Sequence, residues 1–235
     1  MATVLDHLVL AVPDLDVAVA DFTRRTGVEP TAGGVHPGGG TRNAVVGLTW
    51  EGSTRHYLEI LGPDPAQPDV SEKDMLLGVG PPLSSGVPCM YGWAVRTEPQ
   101  ELDAILQRAR AADLDVGQVV AASRETPSGL RLSWWFAVPR PLGLGGVQPF
   151  LLAWDDAHPT DADLPTVELV SLSLQHPEPD RAGAALAVLG ISVPVSRGPV
   201  PGVRGTLATP EGEVVLGLIW WGLFGQRHFV VLRGG

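Results

Sequence analysis

The stretch LDHLVLAVPDLD, residues 5–16, decides how the rest of the chain is read. Val4 to Val12 is rich in Val and Leu and reads as a buried strand. Pro13 ends it, since proline cannot donate to a sheet ladder. Asp14 then stands where a helix N-cap is wanted, and Leu15, Ala18, Val19 and Phe22 recur at helical spacing. Gly27 supplies the C-terminal stop. One residue is out of place: His7, next to Asp6, interrupts a strand otherwise this apolar. It is either a core histidine hydrogen-bonded to backbone or a ligand pointing into a cavity.

Working outward, three strand candidates follow at 28–33, 42–50 and 56–61, so the order is β-α-β-β-β. The same order recurs. A strand at 91–95 leads to a capping-box signature at Thr97 and Gln100 and to a helix with the apolar stripe Leu102, Ile105, Leu106 and Ala109. Strands at 118–122, 130–138 and 148–154 come next. A less complete third copy has a strand at 167–175, a helix from about 179 to 189 stopped by Gly190, and strands at 192–195, 204–209 and 213–221. Short matches agree: AVPDLD (11–16) with AVRTEPQELD (94–103), and GLTWEG (47–52) with GLIWWG (217–222). Segments 63–87 and 155–165, rich in Pro, Asp and Gly, read as linkers. The expected organisation is a first module at 1–62, a second at 88–155 and a partial third at 166–235, all in one unit.

Composition narrows the function classes. Hydrophobic residues make up 44% of 235, enough for a sizeable core. The formal charge of −10 argues against nucleic acid, which needs Lys and Arg in excess. Cys89 is the single cysteine, so neither an intrachain disulfide nor a thiolate cluster is available. The N-terminus lacks a signal-peptide pattern, and the late apolar run 217–225 is far short of the roughly 20 residues of a membrane helix. The expectation is a cytoplasmic protein with no membrane partner. There is no GxSxG, and Cys89 follows Pro88 in a turn-like context, so nucleophilic triads find no support.

Repeated βαβββ modules opening on Asp6-His7-Leu8-Val9 and Val12-Pro13-Asp14-Leu15 resemble the vicinal oxygen chelate superfamily, and more closely its glyoxalase-like branch. The loop GGVHPGGGTRN (33–43), YLEILGPDP (57–65) and PFLLAWDDAHP (149–159) carry the same resemblance. It implies an α+β fold in which paired modules curl mixed or antiparallel sheets around a cavity, with helices outside. It also implies a small-molecule ligand. In metal-dependent members the first and fourth strands of each module supply ligands, often His and Glu. The family includes isomerases, lyases, ring-cleaving dioxygenases, epimerases and non-catalytic antibiotic-binding proteins.

Carried over by position, the resemblance puts His7 and Glu59 at the ligand corners of the first module. Met90 and Leu152 fall at the second module's corners and Ser171 at the third's His7 position, all poor ligands for a divalent cation such as zinc. A catalytic zinc normally keeps three protein ligands, so the resemblance implies an incomplete metal site with His36 as the recruit for a third. The plain structural alternative is a buried His7–Glu59 pair without metal, since an unpaired buried carboxylate is costly. Such a pair still allows Glu59 to act as a general base oriented by His7.

Other candidates lie around that pair. The loop 33–43 holds five glycines but no P-loop ending. It is either a plain hairpin loop or a lid whose His36, Arg42 and Asn43 contact a polar substrate. His56 would face away from Glu59 on a regular strand. Trp93 and Trp134 would line an apolar cleft, and adjacent Trp134 and Trp135 must face opposite sides. The apolar tail beyond Gly217 reads as a last hairpin or as a subunit interface, which would make a homodimer. The expected function is a glyoxalase-like lyase or isomerase, with His7 and Glu59 catalytic. The alternatives are a binding protein that sequesters a small ligand, and a scaffold whose cavity has filled.

Overall fold

The computed structural model describes residues 3–127 and 129–217. The tail reading therefore lies largely outside the described residues. The first run of elements is β1 (Val4–Ala11), α1 (Leu15–Thr26), β2 (Thr31–His36), β3 (Thr41–Trp50) and β4 (Ser53–Pro63). After a covering segment with the short α2 (Gly80–Ser84) come β5 (Cys89–Arg96), α3 (Pro99–Ala111), β6 (Val119–Glu125), β7 (Arg131–Ala137) and β8 (Phe150–Trp154). The last run is β9 (Thr166–His176), α4 (Pro179–Val188), β10 (Val195–Arg197), β11 (Gly202–Thr209) and β12 (Gly212–Leu216).

Local chemistry accounts for the helix limits. Asp14 caps α1 by accepting from the Val17 amide at 3.0 Å, and Gly27 closes it at φ 72°, donating to the Thr23 carbonyl. The capping box expected at Thr97 and Gln100 does not form. Pro99 occupies the first helical position, so Glu98 is the cap residue and Gln100 comes one place too early to reach back.

The strands join in one curved, unclosed sheet of the order β12-β11-β9-β3-β4-β1-β5-β8-β7-β6, with β2 beside β3 and β10 beside β9. β1 runs parallel to β4, with Leu8 opposite Leu58, and antiparallel to β5, with Leu8 opposite Trp93. β5 runs parallel to β8 in the same way. The first two runs thus share one topology and meet along β1 and β5. The third keeps the element order but not the pairing: β9 lies between β11 and, on its other edge, β3 and β10.

Alternation along the strands separates two apolar clusters. One packs Leu8, Val46, Leu58, Ile60 and Trp93 with Phe22 of α1, Ile105 of α3 and Leu186 of α4. The other, on the opposite face, joins Val9, Leu61, Ala94, Phe136, Phe150 and Leu152 to Leu77, Val79 and Leu83 of the covering segment. Tyr91 pins that segment by donating from its hydroxyl toward the Leu77 and Gly78 carbonyls at 2.9 Å. Where β2 and β6 approach, Arg124 donates to the Gly33 carbonyl. Among the described residues, no helix is long and apolar enough to cross a membrane.

Candidate functional site

His7 and Glu59 share the face that the covering segment closes, as neighbours across the parallel β1–β4 pair, where Val9 stands opposite Glu59. Both are buried, at 4% and 6% exposure. His7 Nε2 lies 3.7 Å from Glu59 Oε2, and His36 Nε2 lies 3.8 Å from Oε1. Asn43 of β3 donates its amide to Glu59 Oε1. Its own Oδ1 is buried without a hydrogen-bond partner. That oxygen packs against Gly33, where an added Cβ would push the Asn43 side chain aside. The His7 ring stacks on Tyr57 at 4.5 Å and meets the edge of Phe150 at 5.4 Å.

The residue that sequence reasoning missed is Asp6. In a regular strand it would face away from His7. The β1–β5 register skips between Leu5 and His7, and Asp6 is the bulged residue. Its fully buried carboxylate meets His7 Nδ1 at 2.6 Å, Trp154 Nε1 at 2.9 Å and His158 Nε2 at 3.1 Å, with Arg96 at 3.7 Å. Burial pushes its pKa up, but the hydrogen bonds from His158 and His7 prevail and hold it well below the usual carboxylate range. His158 was missed as well. It follows β8, is fully buried, and packs edge-on against Tyr57 and Trp154. The motif DDAHP was visible, but nothing in it points to a partner 152 residues away.

The other sequence candidates divide. His36 and Asn43 join the site. Trp134 is half-buried beside the same apolar cluster, its ring 5.2 Å from Trp154. Arg42 does not join, because strand alternation turns it toward α1, where it pairs with Asp16 at 2.9 Å. Trp93 does not join either; it is buried in the helix-side core and donates to the Val147 carbonyl at 2.9 Å. Met90, at the second module's corner, turns away from the site. A second register shift pairs it with Leu10 on the helix side, while Ala94 lies across from His7. His56 faces away from Glu59, its Nδ1 donating to the Leu5 carbonyl at 2.7 Å.

The donor set does not fit a divalent cation. His7, His36 and Glu59 all come from the first module, and the facing wall offers Ala94 and Leu152. Glu59 Oε1 already accepts the Asn43 amide, whose N–H would face the cation. Among the described residues, no group of three or more His, Cys, Asp or Glu side chains is placed to hold a metal. Two clefts, of about 330 and 390 Å³, lie away from these side chains, one beside His56 and Trp93 and one beside Gln175 and Arg204.

Burial lowers the pKa of His36, outweighing the pull of Glu59, and burial likewise lowers that of His56. A histidine with a folded pKa below its unfolded value of about 6.5 contributes stability above that value and loses it as pH falls. Urea midpoints should therefore fall as the pH is lowered below about 6.5, and His56→Gln should flatten part of that slope. A wild-type midpoint unchanged across this window would contradict the buried neutral state of both rings.

A family model described as a glyoxalase-like domain matches residues 5–190. Among solved structures, a hypothetical protein from Staphylococcus aureus superposes with a TM-score of 0.63 at 11% identity, covering 84% of this chain and 87% of that one. The methylmalonyl-CoA epimerase from Mycobacterium tuberculosis is 21% identical, with a TM-score of 0.41 over 67% of this chain and 90% of that one. A Streptomyces coelicolor methylmalonyl-CoA epimerase variant in complex with 2-nitronate-propionyl-CoA gives 22% identity and 0.44, over 67% and 99%. A comparison with curated protein sequences gives no match. With a family model spanning residues 5–190, the chain belongs to the glyoxalase-like domain family.

Proposed function

We propose that the protein moves a proton on a small carbonyl compound, as an isomerase or lyase of the glyoxalase-like type, without routing the step through a metal. The observation that supports this reading is Glu59: a carboxylate shut away from water, held by Asn43, with a histidine nitrogen 3.7 Å from its second oxygen. Glu59 takes a proton from the carbon next to the carbonyl, and the electron pair of the C–H bond moves into an enolate. The proton passes from the Glu59 carboxyl to His7 Nε2 or returns to the substrate carbon. Return to the opposite face gives an isomer, and loss of a neighbouring leaving group from the enolate gives a lyase outcome. Exclusion of water by the covering segment protects the enolate.

The walls support one substrate class. The first module presents His7, Glu59, Asn43 and His36, whereas the second presents Phe150, Leu152 and Trp134. The ligand accordingly has a polar carbonyl head and an apolar or aromatic body. The buried, unpartnered Asn43 Oδ1 asks for a hydroxyl or N–H donor on that head. The cover over Leu77, Val79 and Leu83 must move aside for entry.

The test is incubation of the protein with a panel of 2-oxo and 1,3-dicarbonyl compounds in D2O, read by proton NMR. Loss of the α-proton signal, absent with Glu59→Gln, is expected. The apolar wall favours a second reading, a protein that sequesters a small ligand. It predicts thermal stabilisation by a panel member with no exchange, and that outcome would replace the enzymatic reading.

A further inference from the structure

Asp6 belongs to no ligand position implied by the family resemblance, yet it is the most heavily hydrogen-bonded side chain of the site. Its three donors come from three places: His7 beside it, Trp154 at the end of β8, and His158 in the segment after β8. The proton positions can be worked out from the partners. The Thr160 amide donates to His158 Nδ1 at 3.2 Å, so that nitrogen is an acceptor and Nε2 carries the proton given to Asp6. Trp154 Nε1 is a donor only. An ionised carboxylate only accepts, so the 2.6 Å contact requires the proton on His7 Nδ1.

We propose that Asp6 is a positioning residue that fixes His7 with Nδ1 protonated and directs Nε2 at Glu59. This role rests on the acid–base reading of Glu59 and His7. It makes Nε2 the nitrogen that receives the proton from Glu59, and it places a buried negative charge behind the imidazolium that results. The bulge at Asp6 is the structural device: without it the carboxylate would project to the helix face. The second half of the molecule contributes through Trp154 and His158, which clamp Asp6 from the far side. Where metal ligands would be expected, at Met90 and Leu152, that half offers none.

The experiment is a long-range proton–nitrogen correlation spectrum of the resting protein labelled with 15N-histidine, with His7→Gln assigning the signals. The expected result is a protonated Nδ1 on His7 in a strong hydrogen bond, lost or exchanging with the other tautomer in Asp6→Asn. His158→Phe, which keeps Asp6 and an aromatic ring, should retain the Nδ1 proton, and it serves as the second variant should Asp6→Asn not fold. A wild-type His7 protonated on Nε2 alone overturns the proposal, as does an unchanged tautomer in folded Asp6→Asn. Deuterium exchange in Asp6→Asn should drop on the order of 10–100-fold through kcat with KM little changed. If the tautomer is as expected but no compound exchanges, the reaction reading fails while the positioning of His7 stands.

Discussion

Glu59→Gln is expected to lower the rate of α-proton exchange by about 10²–10⁴-fold, the range a positioned general base contributes. The substitution is nearly isosteric, and the Gln carbonyl oxygen can still accept from the Asn43 amide. Folding should therefore survive, which circular dichroism and the melting temperature would check. What disappears is the group able to take a proton. His7→Gln should cost less, because it removes the proton's next stop and leaves the base itself. Asn43→Leu should lie between wild type and Glu59→Gln, since it leaves the Glu59 Oε1 lone pairs without their donor. Exchange at the wild-type rate in folded Glu59→Gln would remove Glu59 from the chemistry and shift attention to His36, 3.8 Å from the same carboxylate.

These effects depend on placement that the sequence shows only in part. The repeat order, the strand and helix types and the apolar stripe of α3 are legible because hydrophobic period is a local signal. The pair His7 and Glu59 is legible because each shares a strand face with apolar neighbours. Register is not legible in the same way. Two bulges between β1 and β5 send Met90 to the helix side and bring Asp6 to His7, and no residue in LDHLVLAVPDLD announces them. Trp93 needs no such shift: it alternates with Val95 onto the helix face, and only the fold shows which face of β5 the site occupies. His158 illustrates a different limit. Its partner is 152 residues away, and only the strand order β1-β5-β8 brings the segment after β8 back over β1. The third run likewise keeps its element order while β9 pairs with β3 in place of its own last strand, because element order constrains pairing without determining it.

Asp6→Leu is expected to be the most destabilising single substitution in the site, by about 3–5 kcal/mol, because it leaves buried donors without their acceptor. The volume of Leu is adequate, so packing is not the main loss. The loss is electrostatic: Trp154 Nε1–H and His158 Nε2–H would point at a methyl group, and Arg96 would lose the carboxylate 3.7 Å away. Urea unfolding at pH 7 measures this directly, and a difference under about 1 kcal/mol would show that Asp6 is not needed to satisfy those groups. The pH dependence supplies an independent sign. Asp6 has a folded pKa below its unfolded value, so its contribution is present above about pH 4 and disappears as pH falls further. The gap between wild type and Asp6→Leu should therefore be widest near neutrality and narrow below about pH 4, where protonation of the unfolded carboxylate favours unfolding of the wild type alone. A gap that stays constant down to the acid limit would mean that the carboxylate's charge is not what holds His7, Trp154 and His158 together.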